Sequence, residues 1–124
     1  MLYRIAAATS DGVHIDGHFG RCRLFTILEA EDTTGAWHVA EQRTVALPEG
    51  EGMGHDPRFL YEVGALLGDC QYLMVSRIGP RPYGIMAQAG LSVLEISMPI
   101  EQAVSKLNAF RIQQQKRKER LVKQ

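Results

Sequence analysis

The chain has 124 residues, 45% of them hydrophobic, and its 14 Lys and Arg residues balance 14 Asp and Glu residues to a net charge of zero. This length and composition predict one domain with its own hydrophobic core, and they argue against a disordered chain and a strongly basic nucleic-acid-binding protein. The zero is a cancellation, because residues 1–110 carry a net charge of −5 and residues 111–124 carry +5. We therefore interpret residues 1–110 as an acidic domain and residues 111–124 as a basic C-terminal helical extension or tail.

Three strands are predicted in the first half of the chain. Residues 2–8 form a short apolar run that ends in Thr9-Ser10-Asp11-Gly12, a cluster of turn-forming residues. Residues 24–31 are rich in Leu, Phe and Ile, and residues 37–45 alternate apolar and polar side chains. Because residues 32–35 have the composition of a turn, we expect the second and third strands to form an antiparallel hairpin.

Helices and strands alternate in the second half of the chain. The predicted elements are, in chain order, a helix over 57–67, a strand over 72–78, a helix over 80–89, a strand over 91–96 and a helix that starts at Pro99. Asp56 before Pro57 is a typical helix start, and Gly68 and Gly90 are typical helix ends. The inward-facing positions of the last helix are expected at Ile100, Ala103, Val104, Leu107 and Phe110.

This order of elements predicts an α/β domain in which helices cover a mixed sheet. Ligands of such sheets bind beyond the carboxyl ends of the strands. The ends of the first and fourth strands carry Thr9-Ser10-Asp11 and Arg77-Ile78-Gly79. We therefore expect any ligand of this protein to lie near these two segments.

The sequence contains no apolar stretch near the ~20 residues that a membrane-spanning helix needs. Its N-terminus also lacks the basic, apolar and cleavage regions of a signal peptide. These features predict a soluble cytoplasmic protein without membrane contacts. Cys22 and Cys70 are then expected to stay reduced, and reduced thiols are able to bind metal.

The segment Gly17-His18-Phe19-Gly20-Arg21-Cys22 is the hardest to explain by packing alone. Imidazole and thiolate are ligands for iron and related metals, and His18 and Cys22 converge if the segment turns. Glycine on both sides of His18 also permits a close approach of the backbone. The alternative interpretation is a tight turn before a strand, with Cys22 as a small buried hydrophobic residue.

Other candidate residues have weaker patterns. His55 ends the glycine-rich segment 48–54, which predicts a mobile surface loop, and so His55 is placed either to swing over a site or to stay an exposed loop histidine. Arg77, Arg81 and the amides at the start of the second helix predict an anion site, with two solvated arginines as the alternative. Cys70 is expected to be an inert buried thiol.

The number of available ligands separates the kinds of metal site. A structural zinc site needs four ligands at motif spacing, and an iron–sulfur cluster held by one chain normally takes four thiolates, whereas this chain has two cysteines. A cluster would therefore be held incompletely, which suits a carrier better than an enzyme. The sequence also lacks the phosphate loop, the dinucleotide fingerprint and the nucleophile elbow of common enzyme classes.

Several segments resemble the dinitrogenase iron-molybdenum cofactor biosynthesis family, which contains NifX-type carriers and the domain appended to the cofactor-assembly enzyme NifB. The most specific of them is His18-Phe19-Gly20. Arg77-Ile78-Gly79-Pro80 is closer to the appended domain than to the Gly-Gly-Pro common in free-standing carriers, which leaves the subfamily open. The resemblance extends over residues 2–110 and is carried by residues 5–12, 17–22, 25–27, 69–71, 77–79 and 88–91.

This resemblance implies a ribonuclease H-like three-layer α/β/α domain with a five-stranded mixed sheet and no nuclease activity. It implies a non-catalytic carrier or chaperone that transiently binds an iron–sulfur precursor or the iron-molybdenum cofactor itself. The implied partners are a nitrogenase component or cofactor-assembly proteins, and a homodimer remains open. The candidate cofactor-binding residues are then His18 and Cys22 as metal ligands, with Arg21, His55, Cys70 and Arg77.

The alternative function is a protein-interaction module of the nitrogen-fixation machinery without a metal site. Its acidic body or its basic tail would dock on a partner, and the segment that contains His18 and Cys22 would be purely structural. The run Lys116-Arg117-Lys118 also attracts polyanions such as RNA, but such a run is more often the solvated end of a helix.

Overall fold

A computed structural model describes residues 1–45 and 57–122 of the protein. Within these residues it contains five β-strands and three α-helices. The strands are β1 (Leu2–Ala8), β2 (Leu24–Glu31), β3 (Trp37–Thr44), β4 (Tyr72–Val75) and β5 (Ser92–Glu95). The helices are α1 (Pro57–Leu66), α2 (Pro80–Gln88) and α3 (Ile100–Val122).

The strands form one mixed sheet in the order β3-β2-β1-β4-β5. β2 runs antiparallel to both of its neighbours, whereas β4 and β5 run parallel to β1. The predicted hairpin of β2 and β3 is confirmed, with one bulge between Ile27 and Leu28. The bounds predicted for β1 and β2 are also confirmed, because each is a largely apolar segment followed by turn-forming residues.

Helices cover both faces of the sheet and divide the core in two. α1 and α2 pack on the face that contains Ala6, Phe25 and Leu73. α3 packs on the opposite face, which contains Ile5, Leu28 and Met74. The predicted α/β domain with a mixed sheet is therefore confirmed. Among the described residues, no α-helix combines the length and the apolarity needed to cross a membrane.

The fourth strand is shorter than the sequence predicts. The prediction continued it through Ile78, whereas β4 ends at Val75. The Ser76 N–H instead donates a hydrogen bond to the Gly17 carbonyl at 3.0 Å. The chain thus leaves the sheet because a segment distant in sequence provides its next partner, which an apolar run alone does not reveal.

The last helix continues without a break to Val122. Ile100, Ala103, Val104 and Leu107 face the core as predicted, but the inward position predicted for Phe110 is wrong, since Phe110 is 55% exposed. By that point α3 has reached the rim of the sheet, and little apolar surface remains for it to cover. The division of the chain into a domain and a tail at residue 110 stays a prediction.

Candidate functional site

Residues 16–19 lie between the carboxyl ends of β1 and β4. The Gly17 N–H donates a hydrogen bond to the carbonyl of Ala8, the last residue of β1, at 3.1 Å. The Gly17 carbonyl in turn accepts hydrogen bonds from the N–H and the hydroxyl of Ser76 at 3.0 and 3.1 Å. A Cβ atom on Gly17 would lie only 2.7 Å from the Ala8 Cβ, whereas one on Gly20 would meet no atom within 4 Å. Close packing therefore requires the first glycine of the segment and not the second.

Phe19 anchors this segment and leaves His18 exposed. The Phe19 side chain is buried, its ring centroid lies 6.1 Å from that of Phe25, and its N–H donates to the Arg77 carbonyl at 2.9 Å. Phe19 begins a short turn with its ring in the core, whereas the side chain of His18, the extended residue before it, is exposed to solvent. His18 also forms an isolated parallel β-bridge with Arg77. The structure thus brings two of the predicted site residues side by side.

A short 3-10 turn over Phe19–Arg21 brings His18, Arg21 and Cys22 to one open depression. The Cys22 N–H donates to the Phe19 carbonyl at 3.2 Å and closes the turn. The depression has a volume of about 490 Å³ and lies at the strand ends where the sequence predicted a ligand. It is lined by Thr9, Ser10, Asp16, Gly17, His18, Arg21, Cys22, Arg23 and Leu24.

The thiol of Cys22 is held in its protonated form. Burial, the largest influence, raises the pKa of Cys22 to about 11, and the thiol donates a hydrogen bond to the Leu24 carbonyl at 3.1 Å. A metal ion that takes this sulfur must displace the proton and the hydrogen bond. Cys22 is therefore a ligand only for a metal that competes with the proton, whereas the exposed His18 imidazole is directly accessible.

Four exposed arginines surround this end of the sheet: Arg21, Arg23, Arg77 and Arg81. None of them forms an ion pair with any residue in 1–45 or 57–122. Guanidinium groups that are not engaged in ion pairs favour an anionic ligand. By contrast, three other arginines do form ion pairs. Arg4 pairs with Asp69, Arg43 pairs with Glu41 and Asp69, and Arg111 pairs with Asp32.

Two carboxylates reduce the attraction for an anion locally. Asp16 lines the depression, but it accepts hydrogen bonds from the N–H of Ser10 at 2.8 Å and from its hydroxyl. At the start of α2, the Ile78 N–H donates to Glu95 at 3.1 Å. The carboxylate of Glu95 thus lies beside the predicted anion site of Arg77 and Arg81. Arg21 and Arg23, which line the depression, are therefore better placed to attract an anionic ligand than Arg77 and Arg81.

Two predicted residues do not join this cluster in the structure. Cys70 is buried before the amino end of β4, and an extended chain rises about 3.3 Å per residue, so it lies roughly 20 Å along the strand from Arg77. His55, with the glycine-rich segment 48–54 and the predicted cap Asp56, lies outside the described residues. Within residues 1–45 and 57–122, no three His, Cys, Asp or Glu side chains are grouped to hold a metal ion.

The loop after β1 is organised by contacts between Asp11 and His14, which the sequence did not predict. The Asp11 carboxylate accepts hydrogen bonds from the N–H groups of Val13 and His14, each at 2.8 Å. Its second oxygen contacts the His14 Nδ1 at 2.8 Å. Asp residues commonly form turns in which their carboxylate accepts hydrogen bonds from the backbone N–H groups that follow. The dipeptide Asp11-Gly12 is the sequence feature that could have predicted this turn.

We expect the Asp11 carboxyl to titrate below its ordinary pKa. The hydrogen bond with the His14 side chain is the largest cause, followed by the two backbone N–H groups. Because the folded pKa is depressed, the stabilising contribution of Asp11 is complete above about pH 4 and is lost as the pH falls further. The pKa of Asp11 can be measured by NMR titration of its carboxyl carbon. We expect this pKa to rise in His14→Ala and to stay unchanged in the control His38→Ala. An ordinary pKa in the wild type would contradict the prediction.

Known proteins resemble this chain at several levels. A family model described as dinitrogenase iron-molybdenum cofactor matches residues 1–109, which confirms the resemblance drawn from the sequence. The FeMo cofactor biosynthesis protein NifB of Chlorobaculum tepidum is 26% identical to it over 100 residues. That match covers 81% of this chain and 22% of NifB, so the chain spans about a fifth of the length of this curated relative.

Solved structures share the fold. The crystal structure of PH0822 has a TM-score of 0.58 and 21% identity, over 86% of this chain and 88% of that one. A Methanocaldococcus jannaschii protein provisionally described as a dinitrogenase has a TM-score of 0.53 and 12% identity, over 88% of this chain and 90% of that one. At these identities the similarity supports the α/β architecture alone.

Proposed function

This chain belongs to the dinitrogenase iron-molybdenum cofactor family, and we propose that it is a non-catalytic carrier of an iron–sulfur cofactor precursor or of the iron-molybdenum cofactor. It would bind this cargo transiently during biosynthesis and delivery. The observation that carries the proposal is the depression shared by His18, Cys22 and Arg21, at the carboxyl ends of β1 and β4. The name of the NifB relative supports a role in the same biosynthesis.

The chemistry of the donor groups suits a cargo that must be released. His18 offers an accessible imidazole, and Cys22 offers a thiol that becomes a ligand on losing its proton. Two protein ligands leave the rest of the cluster open to a receiving protein. Protonation of the Cys22 thiol, whose pKa is raised by burial, then favours release. We assign no catalytic step to the protein.

The charges around the depression support an anionic cargo. The described carboxylates leave Arg21, Arg23 and Arg77 unpaired, so their field extends to a ligand placed beside His18. The net charge of −5 on residues 1–110 opposes an anion elsewhere on the domain. The arginines would thus select the place where the cargo binds as well as strengthen its binding.

The wider assignments follow from the family. We propose a nitrogenase component or cofactor-assembly proteins as the partners, with a homodimer as an open alternative. We also propose that the fold is ribonuclease H-like. The sheet has the strand order β3-β2-β1-β4-β5, β2 is the one strand of this sheet that runs antiparallel to the others, and helices cover both faces. The activity of the full-length relative is not assigned to this chain.

Anaerobic titration of the purified protein with isolated iron-molybdenum cofactor tests the carrier function. Visible absorption follows binding, and we expect His18→Ala and Cys22→Ala each to lower the affinity about tenfold, the loss of one ligand interaction of about 1.4 kcal/mol. His38→Ala is the matched control, because His38 is also exposed but lies on β3 and pairs with Glu29. Cys70→Ala is expected to keep the wild-type affinity, and His55→Ala measures the contribution of that proposed contact.

Equal affinity in the wild type, His18→Ala and Cys22→Ala would contradict the proposed site. Absence of any binding by the wild-type protein would contradict the carrier function and favour the alternative of a protein-interaction module without a metal site.

A further inference from the structure

We propose that the C-terminal part of α3 docks an acidic, amphipathic segment of a partner protein. We call residues 111–122 the α3 extension. The inference goes beyond the proposed carrier function and does not depend on it, because the extension lies outside the depression that contains His18 and Cys22. Its evidence is the shape, the charge and the exposed apolar side chains of this part of the helix.

The extension is an exposed, unbroken continuation of α3. Leu107 and Asn108 are the last buried side chains of α3, and residues 113–122 are all exposed. At 1.5 Å per residue, these ten positions form roughly 15 Å of exposed helix, and the part up to Glu119 borders a groove that it shares with Met1 and Asp32 of the domain. Most helical stability in proteins comes from packing, so a fully exposed stretch gains from a surface that covers it.

Arg111 fixes the base of the extension. Its guanidinium donates hydrogen bonds to the Tyr72 hydroxyl at 2.8 Å and to Asp32 at 3.0 Å. It also lies 4.1 Å from the centroid of the Tyr3 ring, a cation–π distance. The helix is thereby held against the sheet, and it presents its remaining charges to solvent instead of folding back onto the acidic domain.

The charge of the extension calls for an acidic partner. Lys116, Arg117, Lys118 and Arg120 form no ion pair with any residue in the described part of the chain. Lys116 and Arg120 are four residues apart on the helix, a like-charge spacing that destabilises it. Carboxylates of a partner would relieve this repulsion, and the −5 charge of residues 1–110 would direct those carboxylates away from the domain and onto the extension.

Exposed apolar side chains favour a protein over a nucleic acid. Phe110 and Leu121 are 55% and 69% exposed, and their spacing of eleven residues places them on one helical face with Arg117. A groove of about 830 Å³ at the base of the extension includes Phe110 and also the carboxylates of Asp32 and Glu119. A phosphate backbone would leave these apolar side chains exposed to water, whereas a peptide with Leu and Glu side chains buries them and also pairs with the basic residues.

Fluorescence anisotropy with the full-length protein tests this proposal. The probe is a labelled helical peptide with a Leu stripe flanked by Glu residues. One comparison probe has Ser in place of each Leu, and a second is a single-stranded DNA oligonucleotide of equal charge. We expect the Leu–Glu peptide to bind most tightly, and the combined substitution Lys116→Gln, Arg117→Gln and Lys118→Gln to weaken it about tenfold or more.

A second variant examines the apolar contribution separately. Phe110→Ser with Leu121→Ser should weaken the Leu–Glu peptide about fivefold to tenfold and leave the Ser–Glu peptide unchanged, since only the former buries these side chains. Tyr61→Ser on α1 is an exposed control away from the extension and should change neither affinity. The proposal is overturned if the oligonucleotide binds as tightly as the Leu–Glu peptide, or if the substitutions in the extension leave its affinity unchanged.

Discussion

Gly17→Ala is expected to lower the free energy of unfolding by about 3 kcal/mol, the upper part of the range for an overpacked interior. The added Cβ would lie 2.7 Å from the Ala8 Cβ and 3.1 Å from the Ala8 carbonyl carbon and oxygen. These neighbours belong to β1, which is paired on both sides, so they have little freedom to move. The strain must instead displace residues 16–19 and, with them, His18.

The matched control for this prediction is Gly20→Ala in the same segment. Its Cβ would meet nothing within 4 Å, so the free energy of unfolding should change by no more than about 0.5 kcal/mol. Urea unfolding of both variants gives the comparison. Gly17→Ala should also weaken cofactor binding where the protein remains folded, because His18 no longer lies beside Arg77. Equal stability of the two variants would show that the approach of residues 16–19 to β1 is not tight.

Removal of the unpaired arginines is expected to have the largest effect on cargo binding. We predict that the combined substitution Arg21→Gln, Arg23→Gln and Arg77→Gln lowers the affinity for the cofactor about tenfold to a hundredfold. Exposed charge pairs contribute up to about 1 kcal/mol each, which sets this range for three arginines. Residues 1–110 are already acidic. After the loss of these three arginines, Arg81 is the one described arginine without an ion pair that remains at this end of the sheet to attract an anion.

Salt dependence separates an electrostatic effect from a structural one. The affinity of the wild-type protein should fall as ionic strength rises, and that of the triple variant should fall less, since fewer exposed charges remain to be screened. Arg21→Gln alone should weaken binding more than Lys106→Gln, which removes another exposed positive charge, on α3. Similar losses for these two single variants would mean that total charge, and not the position of the arginines, governs binding.

Much of the architecture was accessible from local sequence patterns. The apolar runs of β1 and β2 carry their own strand signal, and the turn between β2 and β3 is encoded by four adjacent residues. The helical period of α3 likewise predicted its buried positions Ile100, Ala103, Val104 and Leu107. These predictions succeeded because each depends on the preferences of residues that are close together in the chain.

Predictions that required distant partners were less complete. The end of β4 depends on the hydrogen bond between Ser76 and Gly17, and the exposure of Phe110 depends on where the rim of the sheet lies along α3. Cys70 and His18 are both candidate cofactor-binding residues in the sequence. They are separated in the structure because Cys70 precedes the amino end of β4, whereas His18 lies beside Arg77 beyond its carboxyl end. The organising hydrogen bonds of Asp11 and His14 were also missed, because their pattern is ordinary in an exposed turn.

The sequence by itself determined the family, the mixed α/β architecture and the candidate ligands His18 and Cys22, because these depend on composition, local periodicity and a short motif. Only the tertiary structure decided which candidates meet. The turn over Phe19–Arg21 brings His18 and Cys22 to one depression, and the return of the chain to β1 and β4 places Arg77 beside His18. These contacts join segments about sixty residues apart, and the sheet order that sets them is a property of the whole fold.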